Sequence, residues 1–227
     1  MISNLDKIKS ILQFDIDEIF YFVQVLQRKK DNPTQPSETI KRYSRFVKTL
    51  EGLEEAYNNS KIFSDLYNAR TYINLCPISA EKFSKKLVFE LTKRVCNNCY
   101  LDNFMLPDRV ALDKEVFKQN IWMIDIDIPV IPENSEAHKD LDEYLSSKEE
   151  IVRLGETKTP NGKHIIVKPF NFKKVLSDVQ AIGNNNYQLP NNLVFDLKMN
   201  SMTILYSPSS VNSDTIYKKV DGLYHKI

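Results

Sequence analysis

Two carboxylates two residues apart close an apolar run, Met123-Ile124-Asp125-Ile126-Asp127, and that spacing is the feature of the chain best suited to chemistry. Residues i and i+2 of a β-strand share a face, so Asp125 and Asp127 point the same way and repel unless a cation lies between them. Ile121-Trp122-Met123-Ile124 is too apolar for a surface loop and too short for a helix, which predicts a buried strand. Two ionised carboxylates beside such a strand are costly to desolvate alone, and Mg2+ or Mn2+, which take hard oxygen ligands, are the common compensation. An Asp-x-Asp at a strand end can also serve only to cap the helix that follows, so the rest of the chain decides.

Two further stretches bear on that choice. In Thr159-Pro160-Asn161-Gly162-Lys163-His164-Ile165-Ile166-Val167 a tight turn leads into a strand whose start carries His164. Lys163 and Lys168 flank the histidine and Gly162 allows close approach to the backbone, an arrangement suited to a phosphate; a histidine at a strand start is otherwise structural. Val194-Phe195-Asp196-Leu197 sets an acid inside an apolar strand, where Asp is depleted, so Asp196 needs a cation, a basic side chain or N–H donors. A salt bridge to a lysine meets that need; so does a metal, and a third acid beside Asp125 and Asp127 would complete the cluster used in two-metal phosphoryl transfer.

The elements that must position these residues alternate between helical and strand patterns. Apolar spacing predicts a helix over 5–14, a strand over 19–25, a basic turn over 27–33 and a helix over 38–58 with Tyr43, Phe46, Val47 and Leu50 on one face. A strand over 70–75 follows, then a helix over 80–95 opened by Ser79 and striped by Phe83, Leu87, Phe89 and Leu91. Beyond the Asp-x-Asp strand, Pro129 and Pro132 break the chain, residues 136–149 form a charged solvent-facing helix, and strands are expected over 150–156, 163–168, 193–197 and 202–206.

Composition sets the outer bounds. The 227 residues, 42% of them hydrophobic, suffice for one larger domain or two small ones around a real core. A net charge of +1 excludes a polycation, so any nucleic-acid contact needs a local basic surface. With no apolar run of transmembrane length and no signal pattern in Met1-Ile2-Ser3-Asn4, the expectation is a cytoplasmic protein without a membrane partner. Cys76, Cys96 and Cys99 suit a reducing compartment; Cys96 and Cys99 have zinc-ligand spacing but no second pair to complete a site.

Ile124-Asp125-Ile126-Asp127, Gly162-Lys163-His164 and Phe195-Asp196, in this order, resemble the archaeo-eukaryotic primase superfamily, the primase-polymerases, whose marks are an apolar strand ending in Asp-h-Asp, a small-x-His signature and a third acid on a later strand. Small stand-alone versions occur in bacteriophages and mobile elements. Where members of that family follow the third acid quickly with a Val-Tyr pair and a basic residue, this chain has Met199-Asn200-Ser201-Met202 before Thr203-Ile204-Leu205-Tyr206. The resemblance implies an α/β (α+β) fold: a primase-like core with an RNA-recognition-motif-like antiparallel sheet flanked by helices, plus an α/β N-terminal module. It further implies a single catalytic domain over 1–227, divided into an N-terminal module over 1–115 and a metal-binding catalytic module over 116–227.

The activity implied is DNA-templated nucleotidyl transfer, as primase or primer-extending polymerase. Asp125, Asp127 and Asp196 would hold two Mg2+ or Mn2+ ions about 3.5–4 Å apart, and His164 would contact the incoming triphosphate with help from Lys163, Gly162 and Arg70. Single-stranded DNA would serve as template, an NTP or dNTP as substrate, and a separate replicative helicase as a further partner. Arg28, Lys29, Lys30 and Arg42, with Lys41 and Arg45, are the candidate template contacts, although each also suits ordinary surface charge. Two other classes use the same residues: a Mn2+-dependent Asp-x-Asp glycosyltransferase, for which Gly162-Lys163-His164 has no evident role, and a degenerate primase fold that binds single-stranded nucleic acid or a partner protein.

Overall fold

A computed structural model describes residues 1–100, 103–208 and 215–227 and divides the chain into two compact units, one of residues 12–120, the other of residues 1–11 together with 121–227. One division falls at Asn120. The first eleven residues, however, belong with the C-terminal part, because β1 (Ile2–Ser3) pairs with a late strand and α1 (Leu5–Lys9) follows it. Asn4 fixes this return: its amide nitrogen donates to the carbonyls of Lys158 and Ile204, each at 2.8 Å, and its side-chain oxygen accepts from the Lys158 N–H.

In the unit of residues 12–120, the long apolar strand β2 (Ile19–Arg28) pairs antiparallel with β3 (Thr39–Val47). Then come α2 (Leu50–Tyr67), β4 (Arg70–Asn74), which also pairs with β2, the short β5 (Ile78–Ser79), α3 (Ala80–Cys96) and α4 (Leu106–Ala111). The expected helix over 38–58 is therefore wrong in its first half. Tyr43, Phe46, Val47 and Leu50 stand at helical spacing, but a ten-residue buried strand needs a hydrogen-bonded neighbour, and the β-branched and aromatic residues of 39–47 supply it. The helix starts where Thr49 accepts from the Gly52 N–H at 3.0 Å. Ser79 caps α3 as expected, yet only Phe83 and Leu87 of its apolar stripe are half-buried; Phe89 and Leu91 are exposed.

The second unit is built on an antiparallel sheet. Its strands are β6 (Trp122–Ile126), β7 (Arg153–Thr159), β8 (Gly162–Val167), β9 (Gln180–Ala181), β10 (Asn186–Gln188) and β11 (Val194–Met199), ordered β7-β8-β6-β11-β10-β9. Helix α5 (Ser135–Ser146) precedes β7 and the short α6 (Phe172–Val175) follows β8. After β11 come β12 (Met202–Ser207), the partner of β1, and a hairpin of β13 (Tyr217–Val220) and β14 (Leu223–Lys226). The fold is thus mixed α/β with antiparallel sheets and flanking helices. Among the described residues, no helix is long and apolar enough to cross a membrane.

Alternation along three central strands gives the sheet two unlike faces. Ile124, Ile126, Ile165, Val167, Phe195 and Leu197 point to one side and form a core with Ala137, Leu141 and Leu145 of α5. Burial of such side chains contributes roughly 1.5–3 kcal/mol each, which fixes the register, since a one-residue slip would turn every one of them outward. Gly162 secures the start of β8: a Cβ there would stand 1.8 Å from the Ile126 carbonyl oxygen and 2.8 Å from the Ile128 nitrogen, both backbone atoms. Its place is filled by the neighbouring strand end rather than left open to a ligand. We expect Gly162→Ala to lower stability by at least about 3 kcal/mol in thermal or chemical unfolding, and Gly155→Ala, whose Cβ would meet only the flexible Ile11 side chain, to cost clearly less.

Candidate active site

The polar face of the same sheet carries the site. In the pairing register Asn186 stands opposite Asp196, Asp196 opposite Asp125, Asp125 opposite His164 and His164 opposite Thr157, one continuous row across β10, β11, β6, β8 and β7. Directly opposed residues share a face with Cβ atoms about 5 Å apart, so the three sequence-distant stretches meet because register, fixed by the apolar side, brings them into line. Asp125 and His164 are buried, at 8% and 7% exposure, whereas Asp127 lies one residue past the end of β6 and is exposed.

Every oxygen of Asp125 has a partner. His164 Nε2 is 3.2 Å from Oδ1, and the Lys198 ammonium donates to Oδ2. Lys198 reaches it because it follows Asp196 by two positions on β11 and shares that residue's face. Asn186, with its amide nitrogen turned toward Asp196, donates to both oxygens of that carboxylate. On its far side the His164 ring meets Thr203 of β12, Nδ1 to Oγ1 at 2.8 Å, and Thr203 Oγ1 is 2.7 Å from Thr157 Oγ1.

The electrostatics separate the acids. Burial pushes the Asp125 carboxyl up, but the hydrogen bond and charge of His164, with the charge and hydrogen bond of Lys198, outweigh it and bring the group down to about 2. Asp196 moves the other way: burial raises it, the neighbouring charges of Asp125 and Asp127 add to the rise, and Lys198 only partly opposes them. Tyr217, at the start of β13, is raised by burial and then by the charge of Asp127.

These residues suit a divalent cation in chemistry, being hard carboxylate oxygens with repulsion at Asp196 that Lys198 only partly opposes. Among the described residues, though, no three His, Cys, Asp or Glu side chains are gathered closely enough to hold an ion as they stand. The physical reasons are local: His164 and Lys198 engage Asp125, and Asp127 lies beyond the strand end. Lys198 supplies the positive charge beside the Asp125 carboxylate.

Other residues singled out by sequence lie elsewhere. Lys163 points to the α5 face, opposite to His164, and pairs with Asp142 at 2.5 Å and Glu156 at 3.5 Å. Consecutive strand residues face opposite ways, so the two cannot reach one ligand from the same side. Arg70 belongs to the unit of residues 12–120, where its buried guanidinium pairs with Asp31 at 2.5 Å. In that unit Arg28 donates to the Tyr72 hydroxyl, Lys29 pairs with Glu38, and Arg42 donates to Gln27 and lies over the Tyr67 ring. Lys41 pairs with Asp108 and Arg45 with Glu55, while Lys30 sits exposed in the turn after β2. Cys96 ends α3 and, like Cys99, is exposed. Sequence reading missed Lys198, Asn186, Thr157 and Thr203. Only Lys198 carried a signal, its i+2 spacing from Asp196.

Two outcomes follow from the opposed shifts. The lowered Asp125 carboxyl contributes on the order of 2 kcal/mol that is complete above the unfolded value near pH 3.8 and is lost as pH falls toward 2; Asp125→Asn should abolish that segment of an acid-unfolding profile. Asp196 has a raised carboxyl, which costs stability when ionised, so Asp196→Asn should raise the melting temperature at neutral pH without divalent ions, read by calorimetry. No protein-family model, no curated protein and no solved structure matches this chain.

Proposed function

We propose that the protein is a DNA-templated nucleotidyltransferase of the primase-polymerase type, joining nucleoside triphosphates on a single-stranded template. The observation that carries this reading is the row Asp196–Asp125–His164 on three adjacent strands, which aligns the three stretches on which the family resemblance rests. A primase-like core within the antiparallel sheet and flanking helices agrees with that alignment. Asp125, Asp127 and Asp196 would hold Mg2+ or Mn2+, which supplies charge neutralisation at the triphosphate and activation of the attacking 3′-hydroxyl.

The chain's own groups have definable parts in such a reaction. Asp125 and Asp196 present opposed carboxylates whose repulsion favours cation uptake. Lys198, which pairs with Asp125 from a partly exposed position, would be the ammonium nearest to hand for a phosphate oxygen of the substrate. Its side chain is 38% exposed, which gives it room to swing outward. The α5-packed core holds the row rigid from behind, so orientation is set before substrate arrives.

A second reading draws on the Lys198–Asp125 pair. An ammonium permanently seated on the central acid would leave a module that binds single-stranded nucleic acid without catalysis. Priming and extension assays on single-stranded DNA with labelled nucleotides and Mn2+ or Mg2+ separate the two. We expect metal-dependent products, reduced at least about 1,000-fold in Asp125→Ala/Asp127→Ala and in Asp196→Ala. Absence of product from the native chain, together with metal-independent DNA binding, would sink the polymerase reading and favour the binding module.

A further inference from the structure

We infer that Thr203 and Thr157 form a hydroxyl relay that locks the His164 ring and thereby aims the Asp125 carboxylate, making His164 a positioning residue. The inference rests on the nucleotidyltransferase reading only in treating Asp125 as a cation ligand. Four strands contribute one side chain each: Thr157 from β7, Thr203 from β12, His164 from β8 and Asp125 from β6. The contacts run Thr157 Oγ1 to Thr203 Oγ1 at 2.7 Å, Thr203 Oγ1 to His164 Nδ1 at 2.8 Å, and His164 Nε2 to Asp125 Oδ1 at 3.2 Å. Both threonines are fully buried, so no water competes for these bonds and each lost partner leaves an unsatisfied group.

Proton counting gives the relay a direction. An ionised carboxylate only accepts, so Nε2 donates to Asp125. In a neutral ring Nδ1 then accepts, and the hydroxyl that meets it is that of Thr203, which gives its single proton to the ring. Thr203 in turn accepts from Thr157. For the neutral ring one arrangement satisfies all four groups, and it has the Nε2–H tautomer. A ring with both nitrogens engaged is not open to a triphosphate. Its effect on chemistry passes through Asp125, whose Oδ1 it holds while Oδ2 faces a cation, at present the Lys198 ammonium. Partners of this kind in the outer shell of metal sites typically carry about 10–100-fold in affinity.

The test compares the native protein with Thr203→Val, which keeps shape and removes the hydroxyl, and Thr203→Ser, which restores it. Nitrogen-15 NMR of His164 in metal-free protein, in alkaline buffer where an imidazole is neutral, reads the hydrogen bond accepted at Nδ1; a Mn2+ titration followed by electron paramagnetic resonance reads cation affinity. Asp125 keeps the Nε2–H tautomer in every variant, so we expect the Nδ1 resonance to move to that of an acceptor without a donor in Thr203→Val, with Mn2+ binding weakened about 10–100-fold, and Thr203→Ser to keep the native resonance and stay within about threefold of native affinity. A native Nδ1 resonance in Thr203→Val, or a moved resonance with native affinity, would overturn the relay. Should the native chain bind no Mn2+, the metal-dependent function fails, while the Nδ1 comparison still decides whether Thr203 holds the ring. If Thr203→Val does not fold, Thr157→Val removes only the distal hydroxyl and should also move the Nδ1 resonance; a native resonance there overturns the relay.

Discussion

Repulsion between Asp125 and Asp196, held face to face on adjacent strands, is the constraint around which the C-terminal unit is arranged. Opposed like charges destabilise a strand pair, and the pair persists because its other face is committed to an apolar core. Two cationic or donor groups make the repulsion tolerable: Lys198 on Asp125 and the Asn186 amide on Asp196. The opposite shifts of the two carboxyls are the readable trace of that balance. One acid is overcompensated and one is undercompensated, so the site keeps an appetite for positive charge.

Much of this was legible in the sequence because it depends on period-two patterns. Ile124-Asp125-Ile126 and Phe195-Asp196-Leu197 alternate apolar and acidic residues, which specifies both the strand and the face on which the acid falls. The same rule, applied to Gly162-Lys163-His164, separates Lys163 from His164, and treating adjacent residues as one phosphate-binding group overlooked it. It would also have found Lys198. Strand order and register were not legible, since they are decided by which apolar surfaces meet α5 rather than by any local pattern.

The N-terminal part shows where periodicity misleads. Residues 39–47 satisfy helical spacing and strand composition at once, and the demand of β2 for a partner decides between them. The basic residues there read as a nucleic-acid surface in sequence, but a list of positive charges omits their partners. Asp31, Glu38, Glu55 and Asp108 lie from 9 to 67 positions away from the cations they neutralise, and only folding reveals the pairing.

The return of residues 1–11 to the C-terminal unit bears on how the protein is born. Asn4 bonds to Lys158 and Ile204, separated from it by 154 and 200 positions, so this segment must wait until both of those have been made. Residues 12–120, a compact unit, can collapse meanwhile. Closing so wide a loop is slow relative to local contacts, and the acidic row likewise waits for β11, which brings Asp196 beside Asp125. At elongation rates of about 5–20 residues per second, the nascent chain spends several seconds between making Asp125 and making Asp196, with the two carboxylates still dispersed.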